Sequence, residues 1–259
     1  MKVKDIMTKK VITVDKDISL KYVLKLMKKH EITKIPVVEN KKIIGMITDN
    51  IISYKLGSIR KKGVPASRLY ASSVTDKNIE CISKDTDVKN ILKKVGEPGP
   101  TMLCIAENEN IIGVLTKADL LPLVKSKKPL KKIMKKEILT VSSDDRVIHA
   151  RRIMIDKDIA RLPVVDEGNL VGMISDNEIA FALAKLKRSF SIGKQKHRLD
   201  ELYVKDVMKT PAIWTDPNMT ISKAASIMLK RNVGALPILK NNKLVGLVSR
   251  TDLLKTISL

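Results

Sequence analysis

The feature that most constrains this chain is a single pattern that it repeats four times in strict register. The phrases GMITDNII, GVLTKADLL, GMISDNEIA and GLVSRTDLL begin at Gly45, Gly113, Gly172 and Gly246. Counting back 38 residues from each glycine reaches the opening position of every copy: Met7, Thr75, Met134 and Met208. Self-similarity of this kind is the signature of repeated structural units that pack against one another. We therefore expect the chain to fold as four related units.

Within each copy the spacing of apolar residues changes along the chain. After a short extended segment, the first copy has apolar residues at the helical spacing i, i+3, i+4 and i+7: Leu20, Val23, Leu24 and Met27. In the third copy Arg151 interrupts the same stripe. Two apolar segments then flank a polar turn, as IPVVE and IIGMIT flank NKK, and a second helix follows. The predicted unit is β-α-β-β-α, which places the chain in the α/β class.

The four copies are predicted to be domains spanning residues 1–55, 68–124, 127–185 and 200–259. One such unit buries too little apolar surface alone, so its faces must pack against another copy. The joint between the second and third copies, LPLVKSKKP, is short, whereas the other two linkers are longer. We therefore pair the first copy with the second and the third with the fourth. The glycine inside each second strand predicts close approach by a neighbouring segment or a ligand.

The succession of an extended segment, a helix, [IL]PVV, a turn and G-h-h-[ST]-x-x-D resembles the CBS domain, named after cystathionine β-synthase. Four copies resemble the gamma subunit of AMP-activated protein kinase and its stand-alone archaeal relatives, and the resemblance covers nearly all of the chain apart from the linkers. It implies that the copies pair into two Bateman modules, which pack as a flattened disc. It also implies clefts that bind AMP, ADP, ATP or an S-adenosylmethionine-type ligand. Family members without an enzyme attached act as sensors or as regulators of a protein partner, which is unknown here. A monomeric disc and a homodimer both remain open.

Two copies carry a hydroxyl and a carboxylate three residues apart, where the second strand meets the second helix: Thr116 with Asp119, and Ser249 with Asp252. This spacing is typical of a helix capping box. The resemblance implies a second and compatible role, in which the aspartate accepts hydrogen bonds from both ribose hydroxyls. The first copy has Ile51 at this position, and the third has Glu178, whose side chain is one methylene longer.

A cation two residues before the proline position occurs in the complementary copies, as Lys34 in the first and Arg161 in the third. In the family such a side chain reaches the ligand phosphate from the partner domain. The alternative is a solvated surface cation. Asp119 would combine with Lys34, and Asp252 with Arg161, which predicts one competent cleft in each pair and two in the chain.

The resemblance also implies apolar walls for the adenine in both clefts. The expected residues belong to the extended segment of the partner copy: Met7 and Ile12 in one cleft, Met134 and Leu139 in the other. Taken alone, these residues would be interpreted as part of the core.

The chain has 50 Lys and Arg residues against 28 Asp and Glu, a formal net charge of +22. A heat-adapted, lysine-rich composition is one explanation. A polyanionic partner is the other, since basic clusters at 125–136 and 185–198 would attract nucleic acid. The aromatic content of 3% disfavours single-strand binding, which relies on stacking. A nucleic-acid-binding protein on a CBS scaffold is therefore the alternative function.

Several other classes are disfavoured by the sequence. The chain has no P-loop, HExxH or GxSxG motif, so we predict no enzymatic activity and no catalytic cofactor. Cys81 and Cys104 have no second pair with which to form a metal cluster, and both are predicted to be buried thiols. No apolar run approaches the ~20 residues that span a bilayer, so no membrane partner and a cytoplasmic location are expected. The segment GEPGP at 96–100 is expected to end a helix early.

Overall fold

The computed structural model describes residues 1–40, 42–58, 68–95, 102–108, 110–189 and 201–257. The helices in these ranges are α1 (Leu20–Lys29), α2 (Asp49–Ser58), α3 (Val88–Val95), α4 (Lys117–Leu120), α5 (Val147–Asp156), α6 (Asp176–Ser189), α7 (Ile221–Lys230) and α8 (Arg250–Leu254). The strands are β1 (Val14–Asp15), β2 (Lys34–Glu39), β3 (Lys42–Thr48), β4 (Cys81–Ile82), β5 (Met102–Glu107), β6 (Asn110–Thr116), β7 (Arg161–Asp166), β8 (Asn169–Ser175), β9 (Ala235–Lys240) and β10 (Lys243–Ser249). In repeats 3 and 4 the first extended segment makes a single parallel bridge instead of a strand.

The first helix of each repeat buries the apolar stripe that its sequence predicts. In α1, Leu20 and Val23 are fully buried and Met27 is 1% exposed. The helix begins after Ser19, whose Oγ accepts a hydrogen bond from the backbone N–H of Tyr22 at 3.3 Å. This is an ordinary N-cap, which satisfies one of the amides that the first turn leaves unpaired.

Each second strand folds back on the first through a tight turn and a β-bulge. The turn residues have positive φ, for example 50° at Asn40 and 78° at Gly168. Such values favour asparagine and glycine in two-residue hairpins. In the first repeat the ladder pairs Val37 with Gly45 and Val38 with Ile43, which leaves Ile44 as the extra residue. The bulge increases the local twist immediately before the repeated glycine.

The repeated glycines are sites of close approach, as the sequence predicts. A Cβ on Gly113 would lie 2.6 Å from Sδ of Met7. The equivalent atom on Gly246 would lie 2.6 Å from Sδ of Met134. At Gly45 a Cβ would lie 2.5 Å from the backbone oxygen of Asp76. In each case the opening segment of the partner repeat crosses over the glycine, and there is no room for a side chain.

These crossing segments join the repeats into the predicted pairs. Repeats 1 and 2 share one six-stranded sheet with the order β1-β2-β3-β6-β5-β4. Antiparallel bridges exchange the opening segments, between Thr8 and Val114 and between Met46 and Asp76. In the second pair the same exchange joins Lys135 to Leu247 and Met173 to Lys209. Both expected modules are confirmed.

The two modules pack through the second helices. Helix α2 of repeat 1 lies against α6 of repeat 3, and α4 of repeat 2 lies against α8 of repeat 4. Ile52 and Leu183 belong to one core shared by repeats 1 and 3, and Leu120 and Leu253 belong to another shared by repeats 2 and 4. Burial of each side chain of this size stabilises the fold by about 1.5–3 kcal/mol. Because the second helices of both modules meet in this way, the four repeats close into one ring around a common centre.

Arg151 interrupts the apolar stripe of α5 because it serves this packing. Its Nε donates to the backbone oxygen of Ser53 at 3.2 Å, and its Nη2 donates to that of Tyr54 at 3.1 Å. The guanidinium also lies 6.0 Å from the centre of the Tyr54 ring. Repeat 3 is thereby bonded to helix α2 of repeat 1.

The prediction that both cysteines are buried is wrong for Cys81. Cys104 is 1% exposed, but Cys81 is an exposed residue on β4, the edge strand of the sheet. An edge strand has a neighbouring strand on one side only, so its residues can remain exposed. The apolar sequence around Cys81 did not show that β4 lies at the edge of the sheet. Burial raises the pKa of the Cys104 thiol to about 12. The GEPGP segment lies outside the described residues, and α3 ends just before it at Val95.

The sequence raised the questions of a membrane-spanning segment and of two basic segments that would attract nucleic acid. Among the described residues, no helix is long and apolar enough to cross a membrane. The basic segment 125–136 is integrated into the fold, since Leu130 is fully buried and Nζ of Lys131 lies 3.1 Å from Oδ1 of Asn218. The basic segment at 185–198 lies outside the described residues from residue 190 onward.

Candidate ligand site

A cavity of about 1220 Å³ lies at the centre of the ring, and residues of all four repeats line it. Pockets for drug-sized ligands occupy about 300–1,000 Å³, so this space is large enough for a nucleotide. Among the predicted site residues, five line the cavity: Ile12, Lys34, Thr116, Asp119 and Arg161. Repeats 1, 2 and 3 each supply at least one of them.

Asp119 is held rigidly where β6 ends and α4 begins. Its Oδ2 accepts hydrogen bonds from the backbone N–H of Thr116 at 2.7 Å and from the hydroxyl of Thr116 at 2.8 Å. The Thr116 hydroxyl in turn accepts from the N–H of Ala118 at 3.2 Å. The capping box therefore fixes the carboxylate without using all of its acceptor positions, since each carboxylate oxygen has two lone pairs.

The opposite oxygen of Asp119 is engaged by Thr8, a residue that sequence reasoning missed. The Thr8 hydroxyl donates to Oδ1 of Asp119 at 2.7 Å, and Thr8 also lines the cavity. Because the hydroxyl proton of Thr8 points to the carboxylate, the lone pairs of the Thr8 oxygen can still accept a hydrogen bond. Thr8 reaches this place because its backbone pairs with Val114 on β6. The signal that could have identified it is its position directly after Met7, which crosses over Gly113.

The apolar wall next to Asp119 differs in part from the prediction. Ile12, Val11 and Pro36 line the cavity. Met7 is absent from this lining and packs against Gly113 of β6. Met102, at the position of Lys34 in the second repeat, also lines the cavity.

Lys34 brings a cation to the same space. Burial lowers its pKa to about 8, and the nearby cations Arg161, Lys117 and Arg250 lower the pKa further, while Asp49 opposes the shift. The pKa of Arg250 is also lowered, to about 10, by burial and by the charge of Arg161. The centre of the ring therefore holds several cations at short range in a partly dehydrated space.

The third repeat contributes a different arrangement to the cavity lining. Oε2 of Glu178 accepts a hydrogen bond from the Ser175 hydroxyl, and Oε1 lies 3.2 Å from Nζ of Lys209. Lys209 occupies the position that Thr8 has in the first repeat, since both follow a methionine that packs on a repeated glycine. The carboxylate of Glu178 is thus already paired with a cation.

The remaining predicted residues lie elsewhere. Asp252 forms the same capping box as Asp119, with Oδ2 accepting from the N–H and the hydroxyl of Ser249 at 2.8 and 2.6 Å. Met134 packs on Gly246, and Leu139 is 47% exposed. None of these four predicted residues is among those that line the central cavity. Arg161, which the sequence assigns to Asp252, lines the cavity together with Asp119 and Lys34.

The charges of the lining are unequal. Among the described residues, the lining contains eight cationic side chains: Lys10, Lys28, Lys34, Arg161, Lys185, Lys209, Arg231 and Arg250. Within the same ranges it contains four carboxylates: Glu31, Asp119, Glu178 and Asp206. The excess of cations favours an anionic ligand. In the part of the chain that the structure describes, no group of three or more His, Cys, Asp or Glu residues could hold a metal ion.

The fold is that of a repeat protein in which paired α/β units surround a polar cavity, and comparison with known proteins identifies the family. The CBS domain model matches residues 3–56, 71–126, 130–185 and 204–259. The chain belongs to the CBS domain family.

The similar proteins include archaeal relatives of known sequence and structure. Protein MJ1404 of Methanocaldococcus jannaschii is 29% identical over 99% of the chain, which spans 62% of that relative's length. The structure of MJ1225 from the same organism, a proposed archaeal homologue of the AMP-activated protein kinase gamma subunit, superposes with a TM-score of 0.86. Its identity is 22%, and both chains are fully covered. The CBS domain pair of protein MJ0100, solved with 5′-methylthioadenosine and S-adenosylmethionine, is 28% identical over 49% of this chain and 93% of that one, with a TM-score of 0.42.

Proposed function

We propose that this chain is a non-catalytic regulatory protein that binds an adenosyl ligand in the central cavity, with the ribose at Asp119. The ligand class comprises AMP, ADP, ATP and S-adenosyl compounds. One observation carries the proposal: a carboxylate held by Thr116 and Thr8 faces a cavity that also presents Lys34 and the apolar side chain of Ile12. A ribose, a phosphate and a purine need these three kinds of surface together.

Each residue has a defined role in this proposal. Asp119 accepts a hydrogen bond from a ribose hydroxyl through the lone pairs that Thr116 and Thr8 leave unused. Thr8 accepts a second ribose hydroxyl while still donating to Asp119. Ile12 covers a face of the adenine, and Lys34 attracts the phosphate as a point charge.

The regulatory role follows from the position of the cavity between modules. Its walls come from all four repeats, so a ligand bound at Asp119 lies in a space that both modules enclose. A ligand that binds one arrangement of the modules more tightly than another shifts the population toward that arrangement. Such a shift would change the outer surface that a partner protein meets.

The experiment is a thermal-shift panel of AMP, ADP, ATP, S-adenosylmethionine and 5′-methylthioadenosine on the wild-type chain and on Asp119→Asn. A ligand at about 100 times its dissociation constant adds about 2.7 kcal/mol. For a chain of this size that corresponds to roughly 5–10 °C. We expect a shift with at least one compound and its loss in Asp119→Asn.

Asp252→Asn is the matched control, because Asp252 closes the same capping box away from the cavity lining. An unchanged ligand shift in this variant would assign binding to the central cavity alone. A loss in both variants would support the second cleft predicted from the sequence, in which Asp252 also binds ribose. No shift with any compound in the wild-type chain would refute the proposal.

A further inference from the structure

The two cysteines of the chain both lie in the second repeat, at positions that pair with each other. Cys81 on β4 and Cys104 on β5 are direct partners in the parallel ladder that joins these strands. Because side chains alternate between the faces of a strand, direct partners on adjacent strands project from the same face. Neighbouring strands lie about 4.7–4.9 Å apart, and the Cα atoms of a disulfide lie ~4.4–6.8 Å apart. The strand pairing therefore places the two thiols within the range that a disulfide spans.

The second repeat departs from the other three at both of these positions. Where the second repeat has Cys104 the other copies have proline, and where it has Cys81 they have threonine or tryptophan: Pro36, Pro163 and Pro237, and Thr13, Thr140 and Trp214. Because proline has no N–H, the change lets Cys104 donate a hydrogen bond to the backbone oxygen of Glu80 at 3.0 Å. This bond explains the loss of proline, but it does not explain why cysteine occupies both positions of the pair.

The two thiols differ in their access to solvent. Cys81 is exposed at the edge of the sheet, whereas Cys104 is 1% exposed. A dissolved oxidant can therefore reach Cys81 but not Cys104. Burial and, to a smaller extent, the charge of ionised Cys81 raise the pKa of Cys104, so the two groups interact. Oxidation of Cys104 in the folded chain must accordingly proceed through Cys81.

We infer that Cys81 and Cys104 are a dithiol pair that closes to a disulfide by exchange with a small-molecule disulfide. This inference goes beyond the proposed function and does not depend on it. In the first step Cys81 loses its proton to solvent, and its thiolate attacks one sulfur of the small disulfide and expels one thiolate. Cys104 then loses its proton, and its sulfur attacks Sγ of Cys81 and expels the second thiolate. The protein gives up two electrons, the small disulfide gains them, and the two expelled thiolates take up the two protons.

The resulting disulfide is a persistent clamp rather than a rapid switch. Burial raises the pKa of both thiols, so little thiolate is present at neutral pH and the exchange is slow. For the same reason both sulfur atoms are poor leaving groups, and the closed disulfide resists reduction. The clamp fixes the edge strand β4 to β5. It also closes a loop that contains α3, whose Val88 and Val95 are fully buried.

The test is incubation of the folded full chain with oxidised glutathione, followed by intact-mass measurement and mapping of the linked peptides. In the wild type we expect loss of both thiols, no retained glutathione, and a cross-link between Cys81 and Cys104 within one chain. Cys104→Ala should retain one glutathione on Cys81, because the second thiol that would displace it is absent. Cys81→Ser should remain unmodified, since Cys104 is buried.

Thermal unfolding measures the effect of the clamp on the fold. Closing this loop should raise the midpoint of the oxidised wild-type chain by roughly 5–10 °C over that of the reduced chain. The difference should disappear after treatment with excess dithiothreitol. It should be absent from Cys81→Ser, which is the matched control for the oxidising treatment itself.

Four results would overturn the inference. A wild-type chain that keeps both thiols would show that Cys81 does not react. Retention of glutathione, as in Cys104→Ala, would mean that the two sulfur atoms do not meet. Cross-links found only between chains would show that Cys81 reacts with another copy instead of with Cys104. An internal disulfide that leaves the unfolding midpoint unchanged would mean that it does not clamp the strand.

Discussion

The hydroxyl of Thr8 donates a 2.7 Å hydrogen bond to Oδ1 of Asp119, a residue 111 positions away in the chain. The bond joins repeat 1 to repeat 2 at the wall of the central cavity. It exists because the opening segment of repeat 1 crosses Gly113 and pairs with Val114. The exchange of segments that holds the module together thus also builds the polar end of its candidate ligand site.

Replacing Thr8 by valine tests this relationship. Valine preserves the shape of threonine but removes the hydroxyl, so adenosyl affinity should fall about fivefold, as expected for loss of a hydrogen bond worth ~1 kcal/mol. Titration calorimetry measures the change. Thr210→Val is the control, because Thr210 lies in the corresponding segment of repeat 4 and its hydroxyl donates to the backbone oxygen of Val171 at 2.9 Å. Equal effects of the two variants on affinity would mean that Thr8 does not contact the ligand.

The repeated glycines predict a ranking of stabilities. Gly45→Ala should be more destabilising than Gly246→Ala, since the new methyl group meets the backbone oxygen of Asp76 at 2.5 Å in the first case and the flexible side chain of Met134 in the second. Overpacking of this kind costs about 1–3 kcal/mol, and we place Gly45→Ala at the upper end of that range. Thermal unfolding of both variants gives the order, and the reverse order would contradict the crossing geometry.

The contact between repeats 1 and 3 should depend on Arg151. Arg151→Met removes two charge-assisted hydrogen bonds to the backbone oxygens of Ser53 and Tyr54. Such bonds contribute about 1.5–3 kcal/mol each, so the midpoint of thermal unfolding should fall by several degrees. Arg152→Met, one residue further on the exposed side of the helix, should change it little. A similar fall in both variants would mean that Arg151 contributes only its charge.

Asp176 predicts a dependence of stability on pH. The residue is 4% exposed, and its pKa is raised to about 6 by burial and by the charge of Asp49, while the Asn50 amide and the cations Arg161 and Arg151 oppose the shift. A carboxyl with a raised pKa in the folded state binds more protons there than in the unfolded state. Its unfavourable contribution therefore develops as pH rises from about 4 to about 6.

Asp176→Asn should accordingly be more stable than the wild type at pH 7, by on the order of 2 kcal/mol, with little difference at pH 4. Asp166→Asn should have the opposite sign at pH 7, because hydrogen bonds from Ser143 and Ser142 lower the pKa of Asp166. Denaturant titrations at the two pH values measure both. A wild-type advantage over Asp176→Asn at pH 7 would show that the ionised carboxylate is stabilised rather than penalised.

Much of the fold could be predicted from the sequence because its determinants are local and repeated. The helical stripe from Leu20 to Met27, the turn at Asn40 and the capping box of Thr116 with Asp119 each depend on residues within one unit. Because the same pattern occurs in four copies at the same spacing, it could be distinguished from a chance match. The missing side chain at Gly113 indicated close approach by a neighbouring segment or a ligand, and the structure places Met7 there.

The parts that escaped prediction depend on contacts between units. Thr8 has no repeated counterpart, since the equivalent positions are aspartate or lysine. The path of Arg161 depends on the absence of a side chain at Gly234, in a different repeat. Closure of the ring joins space from both modules into one cavity, whereas sequence reasoning treated each cleft separately. The exposure of Cys81 likewise depends on which strand lies at the sheet edge.

The most direct test of the proposed site is a crystal structure of the chain with the adenosyl compound that gives the largest thermal shift. We predict that the ligand occupies the central cavity, with a ribose hydroxyl within ~2.5–3.0 Å of a carboxylate oxygen of Asp119. Its phosphate, if present, should lie toward Lys34. Ligand density outside this cavity, with Asp119 bonded only to Thr116 and Thr8 as in the present structure, would contradict the proposal.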